Sequence, residues 1–367
     1  MKIAHIIIGL NIGGAELFLY RLINRSRSEV DHVVISLTEL GPIGKLLRSE
    51  GVLVICLDLK NLFSIPSVIF KLYSNLKVLK PDVVHTWMYH ADFLGGIVAK
   101  SLNIKKIIWS VRTTDVTLGK SRSTVLLRKV CAHLSYFVPT HIIYVAYRSK
   151  DIHIEAGYDA LKAIVINNGF ELDKLHVSAA DRSKFRCSIN VRDDEVLVGS
   201  IGRFNSIKNQ KKFVEVAHSL VQENIALKFV MIGRDNDSDN EKLMNWISDR
   251  GLQKYFILLG QRSDIFKCIK GIDIFCLHSK TEGFPNVLGE AMAIGTLCIS
   301  LDVGDAAFLL NNSELIAKND NLSNLIKEVV DWPSDKKNQV ILQSIQRIRN
   351  EFSISVTAQS YIDVYNS

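Results

Sequence analysis

A chain of 367 residues is too long for one ordinary core and suits two domains of roughly 150 to 200 residues. Hydrophobic residues at 47% and charged residues at 23% exclude a disordered chain, and no uninterrupted apolar run approaches the ~18 residues of a membrane span. The net charge of +7 is uneven, with 21 Lys/Arg against 12 Asp/Glu in residues 1–170 and 24 against 26 in residues 171–367; a basic half suits nucleic acid, an anionic membrane, a phosphorylated acceptor, or no partner at all.

In chain order, Met1-Lys2-Ile3-Ala4-His5-Ile6-Ile7-Ile8 reads as a buried first strand. It is not expected to be a signal peptide, because no basic stretch leads to a small-residue cleavage site. Gly9-Leu10-Asn11-Ile12-Gly13-Gly14-Ala15-Glu16 then forms a glycine-rich turn opening a helix. Gly13 and Gly14 let a ligand approach the backbone, without the GxGxxG spacing of a dinucleotide site. Strands are expected near 3–8, 33–37, 53–57, 83–87, 107–111, 142–145 and 164–166. The series restarts at Val196–Ile201, Phe229–Ile232, Phe256–Leu259, Ile272–Leu277, Leu297–Ser300 and Leu315–Ala317. Such apolar runs with helical stretches between them predict an α/β fold of two doubly wound parallel sheets. These sheets bind ligands at the carboxyl ends of their strands, so a cleft shared by both domains is the expected site.

The join lies near 167–193, where Asn167-Asn168-Gly169-Phe170 is followed by a polar stretch. The expected domains are residues 1–170 and 171–352. Residues 353–367 form a helix with Val356, Ile362 and Tyr365 at helical spacing, able to pack on either domain and assigned here back to the first.

Four further features read two ways. His85, His90 and Asp92 stand at a strand end and helix start, where His90 and Asp92 suit a sugar or acceptor contact and equally suit a capped helix. Asp235-Asn236-Asp237-Ser238-Asp239 holds overlapping DxD patterns, though a surface loop rather than a metal site is expected there. Lys120–Phe137 carries Lys120, Arg122, Arg128 and Lys129 beside Val125, Leu126, Leu127 and Val130. It suits an amphipathic helix on an anionic membrane, or one packed on its own domain. The six cysteines (Cys56, Cys131, Cys187, Cys268, Cys276, Cys298) form no CxxC pair; they point to a reducing, cytoplasmic compartment and to no metal or cofactor. Nucleic acid is excluded as a partner, because aromatics do not interleave with the basic residues.

Two stretches of the second half carry chemistry. In Gly199-Ser200-Ile201-Gly202-Arg203-Phe204-Asn205-Ser206-Ile207-Lys208-Asn209 a strand ends in Gly-Arg, with a lysine five residues on. Two cations at a strand's carboxyl end suit a diphosphate leaving group, although alone they read as surface residues. In Glu282-Gly283-Phe284-Pro285-Asn286-Val287-Leu288-Gly289-Glu290-Ala291-Met292-Ala293-Ile294-Gly295, proline marks a helix start and glycine its end. Backbone N–H groups at 286–288 then leave the helix N-terminus as an anion site. Glu282 and Glu290 suit sugar hydroxyls, and Glu290 equally suits favourable charge near a helix start.

These elements, in this order, resemble the family 4 retaining glycosyltransferases of GT-B fold, over nearly the whole chain. The Gly13-Gly14-Ala15-Glu16 turn, Asn168-Gly169, Gly202-Arg203-Phe204 with Lys208, the Glu282 to Glu290 motif and Val303-Gly304-Asp305 carry the resemblance. It implies two Rossmann-like domains facing a central cleft, the first binding acceptor and the second nucleotide sugar. Arg203, Lys208 and Glu282 would be the catalytic groups, and Arg203 and Lys208 would hold the donor diphosphate. Glu290 would hold the ribose, Glu282 would lie near the donor sugar, and Phe284, Asn286, Val287 and Leu288 would supply backbone contacts, with Gly13 and Gly14 at the donor. The reaction would transfer a hexose or N-acetylhexosamine from a nucleotide sugar, UDP-linked by preference, to a lipid-linked saccharide in bacterial surface polysaccharide assembly. A donor phosphate oxygen would take the acceptor proton, with no protein nucleophile and no metal. The enzyme would act in the cytoplasm, on the inner face of the membrane.

Two positions depart from that pattern. Many relatives place a histidine where Arg112 follows Ile107-Ile108-Trp109-Ser110-Val111, and arginine is no general base at neutral pH, so Arg112 suits phosphate or sugar contact. A serine is common near Ala146. These departures keep open a non-catalytic nucleotide-sugar-binding protein; a nucleotide-dependent oxidoreductase is disfavoured by the missing GxGxxG.

Overall fold

The first series of apolar runs folds into seven parallel strands in the computed structural model, which describes every residue except 115–121 and 224. They are β1 Lys2–Ile7, β2 Asp31–Ser36, β3 Leu53–Cys56, β4 Val83–Trp87, β5 Lys106–Val111, β6 His141–Tyr144 and β7 Ala163–Val165, in the order β3-β2-β1-β4-β5-β6-β7. Helices cover both faces, so alternate side chains enter two cores. On β5, Ile107, Trp109 and Val111 pack with Leu72, Leu76 and Cys131. Ile108 points the other way, to Leu22, Trp87 and Tyr361.

The second series gives five parallel strands, β8 Val196–Ile201, β9 Leu227–Ile232, β10 Phe256–Leu258, β11 Ile274–Leu277 and β12 Leu297–Ser300, in the order β10-β9-β8-β11-β12. The expected strand Leu315–Ala317 does not form: Leu315 ends a short 3₁₀ turn, and only Ile316 bridges Ser300. A single bridge satisfies the backbone there without extending the sheet.

The chain divides into two compact units, Met1–Gly169 with Ile354–Ser367, and Phe170–Ser353. The closing helix Ile354–Asn366 buries Ala358, Tyr361, Ile362 and Tyr365 in the core of the first unit, whereas Val356 is exposed. The stretch Leu62–Leu79 corrects the reading of apolar runs: interrupted by Ser64, Ser67 and Lys71, it is nonetheless long and apolar enough in length and composition to cross a membrane. Val68, Leu72 and Leu76 on its helix, Ile65–Leu79, are buried in the core of the first unit.

Under the first sheet runs a directional chain of neutral imidazoles. The Trp87 indole donates to His5 Nδ1 (3.2 Å), His5 Nε2 donates to His32 Nδ1 (2.9 Å), and His32 Nε2 donates to Ser26 Oγ (2.9 Å), which donates to the Leu22 carbonyl (2.7 Å). An indole only donates, so every tautomer in the chain follows from it. Burial holds His5 well below its ordinary value and pulls His32 to about 4; burial likewise takes His153 to about 4. Unfolded imidazoles protonate near 6.5, so the stability these histidines contribute is complete above that pH and is lost as pH falls toward about 4. A thermal melt at pH 5 is therefore expected well below that at pH 7.5, and His32→Gln, which cannot take that proton, should lessen the difference.

Candidate functional site

In the second unit four loops meet at the carboxyl ends of β8, β9, β11 and β12. Gly202 donates to the Ile232 carbonyl (2.9 Å) and Phe204 to the Arg234 carbonyl (2.8 Å), joining the first two loops. The Asn236 amide donates to the Gly202 carbonyl (2.6 Å), and Gln210 to the Arg203 carbonyl (2.9 Å). Lys280 donates to the Ile207 carbonyl (2.8 Å) and Asp305 to the Gly283 carbonyl (3.0 Å), tying in the others. Gly233 has φ +134°, and a Cβ there would lie 2.4 Å from the Gly202 carbonyl oxygen. Only glycine permits that approach.

This framework brings together residues 74 positions apart: Lys208 Nζ lies 2.6 Å from Glu282 Oε1. Ser279 Oγ donates to the same oxygen at 2.5 Å, so both bonds fall on Oε1. Lys208 is fixed from behind by its backbone N–H, which donates to Asn205 Oδ1 (2.8 Å). Beneath them His278 is buried with Nε2 against Ser200 Oγ (2.5 Å), and burial lowers it to about 4. It is a neutral support.

Helix Asn286–Ile294 starts beside this pair, with Pro285 as N-cap and no side-chain cap bond, and ends at Gly295 in the left-handed region (φ +86°). Such an N-terminus favours an anion. Phe284 and Leu288 are buried, so they can offer only backbone to a ligand, while Asn286, Val287 and Glu290 are half-buried and Arg203 is exposed. Gly289 lies under the Phe170 ring, where a Cβ would approach to 2.1 Å. In the DxD stretch Asn236 is spent on Gly202, and Asp237 accepts from the Asp239 N–H (3.2 Å). Among the described residues no group of three or more His, Cys, Asp or Glu is placed to hold a metal ion.

In the first unit Gly13 caps the helix Gly14–Ser26, and the Glu16 carboxylate folds back to where a Gly13 Cβ would stand (2.3 Å), while Gly14 faces open space. Arg112 follows β5, its guanidinium 4.0 Å over the Phe18 ring, bonded to the Tyr361 hydroxyl (2.9 Å) and to Asn168 Oδ1. It cannot serve as a base. Ala146 is the N-cap of helix Tyr147–Glu155, in extended conformation and without a side-chain bond. A serine hydroxyl there would cap that helix. His90 is exposed at the start of helix Tyr89–Ser101. Asp92, read as a sugar contact, is instead fully buried, accepting from Thr86 Oγ1 (2.5 Å), because it lies on the core face of that helix. Lys120 lies outside the described residues. The helix Arg122–Leu134 buries Cys131 and Ala132 and exposes Leu126 and Val130.

Burial raises the Asp92 carboxyl from its ordinary 3.8 to about 7. The unfolded chain ionises first, so this group costs stability progressively as pH rises from about 4 to about 7. Asp92→Asn, which keeps the bond from Thr86, is expected to raise stability by about 2 to 3 kcal/mol more at pH 8 than at pH 5, read from urea unfolding. Equal gains at both pH values would contradict a buried, ionising carboxyl.

The family model "Glycosyl transferases group 1" matches residues 181–347, and "Glycosyltransferase Family 4" matches residues 12–174. The chain is 26% identical, over all of its length and 96% of the relative's, to UDP-Gal:alpha-D-GlcNAc-diphosphoundecaprenol alpha-1,3-galactosyltransferase of Escherichia coli. It is 27% identical, over all of its length and 99% of the relative's, to the capsular polysaccharide biosynthesis glycosyltransferase CapH of Staphylococcus aureus. Among solved structures, HepE of Anabaena in complex with UDP matches with a TM-score of 0.86 at 19% identity, covering 100% of both chains. The chain belongs to the group 1, family 4 glycosyltransferases and has the GT-B fold of two Rossmann-like α/β domains.

Proposed function

We propose that the protein transfers a hexose or N-acetylhexosamine, with retention of anomeric configuration, from a UDP-sugar to a lipid-linked saccharide in surface polysaccharide assembly. The observation that carries this reading is the pairing of Lys208 with Glu282 beside the uncapped start of helix Asn286–Ile294. A diphosphate seated at Asn286–Leu288 would meet aligned backbone dipoles, with Lys208 and Arg203 neutralising charge as the bond to the sugar breaks. Glu282 would steady Lys208 through Oε1 and keep Oε2 for a donor hydroxyl, and Glu290 would take the ribose. In the first unit Gly13 and Gly14 would border the donor, while His90 and Arg112 would contact sugar or acceptor. The acceptor hydroxyl would attack the anomeric carbon on the face the UDP leaves, passing its proton to the departing phosphate oxygen. No metal takes part in this scheme, and the enzyme would work at the cytoplasmic face of an anionic membrane.

The relatives support the choice of substrates. The Escherichia coli enzyme is named for a UDP-galactose donor and a diphosphoundecaprenol-linked acceptor, and HepE has been crystallised with UDP-glucose. A thermal-shift screen against UDP-, GDP-, ADP- and dTDP-sugars, with and without EDTA, tests the donor. Stabilisation by a UDP-sugar that persists in EDTA is expected. Transfer to a lipid-linked N-acetylhexosamine, with the new linkage read by NMR, tests the rest. A β linkage from an α donor would overturn retention, and binding without any turnover would point to a non-catalytic partner protein.

A further inference from the structure

An apolar groove of about 650 Å³ crosses the first unit, and of the candidate site residues only His90 lines it. Its walls are Ile65 and Ile69 on one helix, Phe93 on a second, and Leu126, Leu127 and Val130 on a third. Leu62 and Leu126 in its lining are 80% and 64% exposed. Large apolar side chains left in water at a concave surface mark a binding site.

Three observations define the occupant. One end of the groove reaches Ile8, Lys60 and His90, which follow β1, β3 and β4, so it opens at the carboxyl edge of the sheet, where substrates of such folds bind. Lys60 lines the groove, and the stretches 60–80 and 122–137, which supply two of its walls, contain no Asp or Glu. The surface therefore suits an apolar chain ending in an anion. The groove is also concave: a flat bilayer face would leave it void and forfeit contact with its walls, whereas a single hydrocarbon chain fills it.

We propose that this groove holds the hydrocarbon chain of the acceptor, a polyisoprenyl diphosphate, with the diphosphate at the Lys60–His90 end. The assignment rests on the lipid-linked acceptor proposed above. The chain runs between the helices while the saccharide stands over the carboxyl edge of the sheet.

Isothermal titration calorimetry of the full chain with geranylgeranyl diphosphate, below its micelle concentration, tests this without requiring sugar transfer. Inorganic diphosphate serves as the comparison. The wild type is expected to bind the prenyl compound far more tightly, with the negative heat-capacity change of apolar burial. Replacing Ile69 and Leu126 together by glutamine should weaken that binding by about tenfold or more and leave inorganic diphosphate unchanged. Leu126→Met, which stays apolar, should retain it and control for folding. The proposal is overturned if the prenyl chain adds no affinity or if the glutamine variant binds it normally. It is equally overturned if the variant loses only binding to phosphatidylglycerol vesicles, which would make the groove a bilayer contact. Failure of transfer with a normal calorimetric result would instead count against the proposed reaction.

Discussion

Replacing Lys208 with alanine is expected to lower kcat/KM for the UDP-sugar by about a hundredfold to a thousandfold, the usual loss for one fixed charge-stabilising group at a leaving oxygen. Lys208 is held on two sides, by Asn205 on its backbone and by Glu282 on its ammonium, so under the proposed reaction its charge would be in place before a diphosphate became more negative. Little of the effect should come from unfolding, because the loop bonds through Gly202, Gln210 and Asn236 do not involve its side chain. Glu282→Gln keeps an acceptor for Ser279 but removes the charge that orients Lys208. The double variant Lys208→Ala with Glu282→Gln should be less damaged than the product of the single losses, since the two act as one unit. Strictly multiplicative losses would mean that the 2.6 Å contact carries no function.

The second large effect is expected from a residue with no chemistry of its own. Gly233→Ala should cost about 3 kcal/mol in stability, because its φ of +134° lies outside the range of side-chain-bearing residues and the new methyl would press on backbone. The atom it meets is the Gly202 carbonyl oxygen at 2.4 Å, with the Arg203 nitrogen at 3.1 Å, and backbone cannot rotate away as a side chain would. The displaced segment is the one that carries Arg203 and leads to Lys208. Urea unfolding should therefore show the stability loss while thermal shift shows weakened UDP binding in the same variant. Unchanged UDP affinity beside lowered stability would mean that the Gly233 turn does not shape UDP binding.

Much of the architecture was legible because parallel strands are buried on both faces and appear as short apolar runs. Twelve of the thirteen expected strands form. The exception, Leu315–Ala317, has the same apolar composition as the others, and only the local 3₁₀ turn at Ser313–Leu315 reduces it to one bridge. The loop after β8 and the helix Asn286–Ile294 were also legible, since Gly-Arg after a strand and Pro-to-Gly around a helix are signals carried by neighbouring residues. Asp92 was misread for the same reason. Its neighbours suggest an exposed helix start, and nothing local tells that this turn faces the core beside Thr86.

The sequence by itself determined the alternation of strands and helices, the division of charge between the halves, and which loops hold carboxylates, cations and glycines. Those properties depend on residues within a few positions of one another, where backbone preference and burial periodicity operate. Only the tertiary structure decided that Lys208 and Ser279 share one oxygen of Glu282, that Gly233 lies on the Gly202 backbone, and that Arg112 stacks on Phe18 and bonds Tyr361 and Asn168. It also decided that three helices leave an apolar groove open at the sheet's edge. Each of these joins residues far apart in the chain, and such contacts are set by the packing of whole elements, which no local pattern of residue types encodes.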